Sequence, residues 1–216
     1  SLLAISFFMF AAEIMAKGNI CKRLVDFANK LVGHLPGGLL IATVVTCTMF
    51  GAISGTGPAA IVAVGTLLFP ALLKNRYDEK PALGVIVSSS TLSMLIPPGV
   101  AMILYGVVSG TSIGKIFMGG LSVGVIVSIA FSIYVYIYAK INKIPRAERA
   151  TFKEFLESLK GSILPLGLPV IVLGGIYLGV TTPTEAAALA VAYVFIIEVL
   201  IYRTLNLQDI FKIAIS

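Results

Sequence analysis

Ser88–Gly99, SSSTLSMLIPPG, interrupts one long apolar run, and Gly51–Pro58, GAISGTGP, interrupts the run before it. In water each would be an ordinary turn. In a bilayer, irregular backbone is tolerated only where protein buries it or where it lines a cavity. Two such breaks in consecutive segments point to a small-solute site near the membrane midplane.

The membrane setting comes from composition. The chain is 58% hydrophobic and 12% charged, with a mean hydropathy of +1.02. A soluble domain carries about twice that share of charge. Apolar runs separated by basic loops predict an all-α membrane protein, built of transmembrane helices with a re-entrant hairpin and a proline-broken helix. The formal net charge of +6 does not signal nucleic acid. The basic residues sit in inter-helix loops with no interleaved aromatics, which is a positive-inside pattern. Cys21 and Cys47 have neither metal nor disulfide spacing and read as packing residues. His34, beside Pro36-Gly37-Gly38, reads as interfacial. No Ser/His/Asp, Cys/His or metal-spaced set argues for an enzyme.

The first break lies in residues 37–73. Gly37–Ile53 and Ala59–Leu73 would reach about 25 Å and about 22 Å, both short of a hydrocarbon core of about 30 Å. The stretch is therefore read as a re-entrant helical hairpin whose tip, Ser54-Gly55-Thr56-Gly57, stops inside the membrane. Two plain crossings are the alternative. Carbonyls ending the first limb near Gly51–Ser54 favour a cation, and N–H groups at the Pro58 start favour an anion. Gly55 and Gly57 permit close approach, and Ser54 and Thr56 add hydroxyls.

The second break lies in residues 82–108, read as a broken transmembrane helix. Pro97 and Pro98 carry no N–H, which orphans the carbonyls of Ser93 and Met94. The helix opens at Ile96–Gly99 and resumes near Val100. Ser89 and Ser93 share a face, and Ser88, Ser90 and Thr91 enrich the same turn. Hydroxyls with freed carbonyls make a hard-cation shell. The alternative is a kink whose hydroxyls bond back to i−4 carbonyls.

Outward from the breaks, residues 1–36 read as the end of a transmembrane helix (Leu2–Met15) followed by an amphipathic helix, Asn19–Gly33, lying in the membrane plane. Glu13 and Lys17 form an i,i+4 pair at the interface. Residues 113–180 read as two spans, Ile113–Ala139 and Ser162–Val180, joined by the basic loop Lys140–Lys160 with a short amphipathic piece. In residues 181–216, Thr182-Pro183-Thr184-Glu185 is a capping box with Pro at N1, so Glu185 starts a helix rather than ligating an ion. Ala186–Ile201 is the last span, with Glu198 near its end at the interface, close to Arg203. Asn206–Ser216 is amphipathic. With both hairpin flanks inside, all 16 Lys and Arg except Lys115 fall on one side, the cytoplasmic one.

The chain resembles the large membrane subunit of TRAP transporters, the tripartite ATP-independent periplasmic solute transporters. The resemblance is carried by RLVDFANKLVGHLPGG (Arg23–Gly38), FGAISGTGPAAIVAVGTLLFPAL (Phe50–Leu72), SSSTLSMLIPPGVAMILYGVVSGTSIGKIFMGG (Ser88–Gly120) and TPTEAAALAV (Thr182–Val191), in matching order and spacing. It implies a piece of a larger permease in the inner membrane, covering the first of two inverted repeats and the start of the second at 181–216, in an elevator-type transport domain. It implies sodium-coupled uptake of an organic anion such as a C4-dicarboxylate or a sialic-acid-like carboxylate. The implied partners are a small four-helix membrane subunit, a periplasmic substrate-binding protein and the lipid bilayer, with no nucleic acid. No cofactor is implied beyond Na+ as the coupling ion. At Pro58 and the neutral stretch after it, many relatives carry an Asp a few residues past the tip; this chain has none there.

On this reading Ser54, Gly55, Thr56, Gly57, Ser89, Ser90, Ser93 and Met94 would hold the sodium ion. Pro58, Thr91, Pro97, Pro98 and Gly99 would face the substrate's negative charge. No Lys or Arg lies in the membrane interior, so a carboxylate would be held by backbone dipoles, hydroxyls or residues elsewhere in the permease. A cation channel or a non-transporting membrane scaffold is the alternative of a different class.

Overall fold

The computed structural model describes residues 2–144, 146 and 149–215, and every regular element among them is helical. In chain order these are α1 (Leu2–Lys17), α2 (Ile20–Val32), α3 (Gly38–Ser54), α4 (Gly57–Lys74), α5 (Glu79–Ser90), α6 (Leu92–Leu95), α7 (Val100–Ser109), α8 (Ile113–Ile141), α9 (Phe152–Tyr177), α10 (Pro183–Phe195) and α11 (Leu207–Ile215). A π-helical turn, Ile196–Ile201, extends α10. Five spans are long and apolar enough to cross a membrane when α5–α7 counts as one, and six if the bent pair α1–α2 is another.

Helix α3 is the centre. It is apolar on every side, as a helix buried on every side must be, and Leu40, Ala42, Val44, Cys47 and Phe50 are fully buried. One core joins α1, α4, α9 and α10 through Phe8, Ile14, Val64, Leu68, Leu168 and Val194. A second joins α3 to α5 and α8 through Leu40, Val44, Val85, Ile86 and Val135. Helix α8 turns most of its apolar side chains outward, Ile126 and Ile133 among them, which suits contact with lipid.

Helix ends follow the local chemistry. The capping box at Thr182–Glu185 is present: the Glu185 amide donates to Thr182 Oγ1 at 3.3 Å and the Thr182 amide donates to Glu185 Oε2 at 2.7 Å. A second box, unforeseen in the sequence reading, opens α9 at Thr151 and Glu154. It starts that helix at Phe152, ten residues earlier than the predicted Ser162, so the amphipathic piece of the basic loop is continuous with the span. The charged turns from Lys153 to Lys160 precede the uncharged part of that helix, Gly161–Tyr177. Pro145, Ala147 and Glu148 of that loop, and Ser1 and Ser216, lie outside the described residues.

Prolines inside α9 shape its contacts. Pro165 has no N–H and leaves the carbonyl of Gly161 without its helical partner. The Tyr202 hydroxyl donates to that carbonyl at 3.0 Å, and Arg23 Nη1 donates to it at 3.4 Å. Glu13 and Lys17 do pair, at 4.0 Å. Glu198 does not sit at an exposed interface beside Arg203. It is fully buried, because the π-helical turn and the neighbouring α1–α2 elbow enclose it.

Candidate functional site

The two sequence breaks meet. Helix α3 ends on Gly55, whose φ of +62° lies in the left-handed region that a Cβ disfavours. Gly55 N–H closes the helix on the Gly51 carbonyl at 2.9 Å, and the Gly55 carbonyl accepts from the Val100 amide at 3.1 Å. Val100 is the first residue of α7, so the tip of one break caps the helix that leaves the other. A Cβ on Gly55 would overlap the Pro98 carbonyl, and one on Gly51 would overlap Ser93. Both glycines are there because backbone lies against backbone. Gly57 faces the Ser90 carbonyl and the Met94 thioether at ordinary contact distance, 3.4 and 3.5 Å from where its Cβ would be.

The polar groups sort into three kinds. Ser89 and Ser90 are buried and donate back to the carbonyls of Val85 and Ile86, and Thr91 donates to the Ser88 carbonyl at 2.7 Å. This is the local back-bonding that the sequence allowed as the alternative to a cation shell. It spends each proton but leaves lone pairs on each oxygen. Ser93 instead reaches across to α3 and donates to the Cys47 carbonyl at 3.0 Å. Ser54 is fully buried and its hydroxyl has no partner among the described residues. The same is true of Thr46 on α3.

The proline break opens as expected. Helix α6 ends at Leu95, Ile96–Gly99 is non-helical, and α7 begins at Val100. The Pro97–Pro98 peptide is cis. Ser93 and Met94 carbonyls accept no loop or cap amide among the described residues. An extra turn at Thr91 separates α5 from α6. Pro97, Pro98 and Gly99 are buried, whereas Thr91, Met94 and Pro58 are exposed. Ser54, Gly55, Gly57, Ser90, Ser93, Met94, Pro98 and Gly99 are thus gathered at one junction, with Thr56 and Pro97 adjoining in chain. Ser89 is buried on α5, whereas Thr91 and Pro58 are exposed.

The Val100 amide, at the start of α7, is taken by the Gly55 carbonyl and is not free for an anion. The amides of Ala101 and Met102 have no backbone acceptor among the described residues, so the anion-favouring end of α7 begins one residue later.

Residues behind the junction escaped the sequence reading. Helix α8 presents Gly120 and Gly124 to the break. Their added Cβ atoms would lie 3.0 and 3.2 Å from the Leu95 carbonyl and would press on Met102 and Ile96 respectively. The signal was available as small residues four apart, the spacing that lets membrane helices approach closely. Thr48 and Ser128 join α3 to the same helix by a 2.7 Å hydroxyl–hydroxyl bond.

An all-oxygen set of a buried hydroxyl and helix-end carbonyls suits a hard monovalent cation. Among the described residues no group of His, Cys, Asp and Glu could hold a metal ion.

Comparison with known proteins places the whole chain. A family model described as "Tripartite ATP-independent periplasmic transporter, DctM component" matches residues 1–216. The chain is 45% identical, along its full length, to the ectoine/5-hydroxyectoine TRAP transporter large permease protein of Ruegeria pomeroyi, covering 50% of that protein. It is 42% identical to the ectoine TRAP transporter large permease protein of Halomonas elongata, covering all of this chain and 51% of that protein. It is 38% identical to the C4-dicarboxylate TRAP transporter large permease protein of Pseudomonas aeruginosa, with the same coverage. The chain therefore spans about half the length of these curated relatives, which are named as transporter permeases and not as enzymes. On a match that runs from its first residue to its last, over helices that meet at two facing breaks, this chain belongs to the DctM family of TRAP transporter large permeases.

Proposed function

We propose that this chain is the part of a secondary transporter that carries a small organic carboxylate into the cell, driven by sodium. The observation that carries the proposal is the Gly55–Val100 junction, where two helix breaks within candidate spans meet in a chain that belongs to a permease family. The named solutes of the relatives are ectoine, 5-hydroxyectoine and C4-dicarboxylates. Their shared group is a carboxylate on a compact body.

Sodium, as cargo, would be held by neutral oxygens. Ser54 Oγ is buried and free to point a lone pair inward, and the last carbonyls of α3 lie beside it. The negative pole of the α3 C-terminus favours the cation, and the positive pole of the α4 and α7 N-termini favours the carboxylate. Ser90, Ser93, Thr56 and the Met94 carbonyl complete the cation side on this reading, and Pro98 and Gly99 shape the carboxylate side. The site is finished by the rest of the permease. A periplasmic binding protein would deliver the solute, and a small membrane subunit would brace the assembly in the inner membrane, with the basic loops and hairpin flanks cytoplasmic.

The test is uptake of labelled ectoine and labelled succinate into proteoliposomes holding the full-length permease with its partner subunits. Uptake that requires an inward sodium gradient is expected. Equal uptake without sodium and without the binding protein would sink the proposal and favour a channel.

A further inference from the structure

The α1–α2 elbow bends by 69° at Gly18–Asn19, where the Gly18 amide closes α1 on the Ile14 carbonyl and the Asn19 carbonyl takes the Arg23 amide. Asn19 occupies the N-cap position of α2, yet its side chain makes no capping bond. The cap comes from far along the chain: the Ile20 amide donates to Glu198 Oε1 at 2.8 Å. Glu198 is fully buried and its other oxygen has no partner among the described residues. Gly18 leaves room for it, since a Cβ there would coincide with the Glu198 carboxylate.

A second contact lies one turn further along both elements. The Arg23 guanidinium stacks over the Tyr202 ring, 3.9 Å from its centroid. Ile20 and Arg23 are three apart on α2, and Tyr202, the C-cap of the π-helical turn, lies four residues after Glu198 within it. Residues four apart share a face of a helix. The turn is closed by the Tyr202 amide donating to the Ile197 carbonyl at 2.7 Å. The third strut is α9: its Gly161 carbonyl, freed by Pro165, takes the Tyr202 hydroxyl and Arg23 Nη1, and Ser162 Oγ donates to the Arg23 carbonyl at 3.0 Å.

We propose that Glu198 and Tyr202 form a two-point clasp that sets the angle of the α1–α2 elbow and, through α2, positions the α3–α4 hairpin during transport. Glu198 is a positioning residue, because it touches the elbow and not the candidate site. Helix α2 packs along α3 and feeds it through Gly33–Gly37, so a change at the elbow reaches the hairpin as a rigid-body movement. The carboxylate end of the clasp uses the positive pole of α2.

The test uses the full-length permease in liposomes, with spin labels at exposed Met9→Cys on α1 and Leu31→Cys on α2. Glu198→Ala is expected to broaden the inter-label distance distribution. Glu198→Gln, whose side-chain carbonyl still accepts from Ile20, is expected to keep it narrow. Tyr202→Leu, which removes the ring under Arg23 and serves if the Glu198→Ala variant does not fold, is expected to broaden it. An unchanged distribution in Glu198→Ala or Tyr202→Leu overturns the clasp, and so does equal broadening in Glu198→Gln and Glu198→Ala. The hairpin role rests on the transport reading and has its own readout: uptake several-fold slower in the broadened variants, at unchanged half-saturation for sodium and solute. Wild-type uptake in a broadened variant overturns that role. Absence of uptake in the unsubstituted protein counts against the transport reading and leaves the distance result standing.

Discussion

The Gly55 carbonyl accepts the Val100 amide across 45 residues of chain, and this single bond at 3.1 Å joins the two helix breaks. It uses one orphan acceptor at the end of α3 and one orphan donor at the start of α7. Each would otherwise be an unpaired polar group where water is scarce, at a cost of about 1–3 kcal/mol.

Gly55→Ala tests the joint directly. The left-handed φ of +62° costs a residue with a Cβ about 1 kcal/mol, and overlap with the Pro98 carbonyl adds to it. Thermal unfolding in detergent is expected at lower temperature, with uptake lost. Wild-type stability and uptake in this variant would show that the tip does not bear on the break.

Ser54→Ala separates a ligand from a packing residue. The hydroxyl is buried and without a partner among the described residues, so its removal in sodium-free buffer is expected to leave stability unchanged or slightly raised. A bound ion stabilises the folded state in proportion to its occupancy. The sodium-dependent rise in unfolding temperature is therefore expected to shrink in the variant. A rise equal to that of the unsubstituted protein removes Ser54 from the cation shell.

Gly124→Leu asks how closely α8 must back the break. The added side chain would collide with Ile96, whose Cγ1 lies 2.7 Å from the built Cβ. Overpacking of this kind costs about 1–3 kcal/mol. Reduced thermal stability is expected, measured against Gly119→Leu, where a Cβ meets nothing within 4 Å. Equal effects of the two substitutions would refute a specific contact.

The α9 cap carries a pH dependence. Hydrogen bonds from the Thr151 amide and hydroxyl, then the charge of Lys30, hold the Glu154 carboxyl below its ordinary value of 4.5. A depressed carboxyl contributes stability above its unfolded value, lost as pH falls through the folded one. The stability difference between the unsubstituted protein and Glu154→Gln is expected to be full at neutral pH and to vanish in acid. A difference that is flat across that range, followed by unfolding temperature, contradicts the cap.

Much of the architecture was legible because membrane physics leaves few choices. Apolar length announced α8, α9 and α10 as candidate spans but made Ala59–Leu73 too short, whereas α4, Gly57–Lys74, is long enough to be one; Pro97-Pro98 announced the opening after Leu95, and Thr182-Pro183-Thr184-Glu185 announced the start of α10. Family membership was likewise readable from Arg23–Gly38, Phe50–Leu72, Ser88–Gly120 and Thr182–Val191. These are local statements: a missing N–H, a capping side chain, a run without charge.

What remained for the tertiary structure was pairing. Glycines mark close approach without naming the partner, so only the fold could set Gly55 on Pro98 and Gly51 on Ser93. A hydroxyl in a membrane helix can bond to its own turn or across to a neighbour. Packing decided that Ser90 turns inward on its helix, that Ser93 reaches Cys47 and that Ser54 finds no partner among the described residues. Glu198 shows the limit most plainly: its neighbours in sequence place it near a membrane edge, while its neighbour in space is an amide 178 residues away. Burial of a carboxyl group depends on what arrives to cover it, and that information is spread along the whole chain.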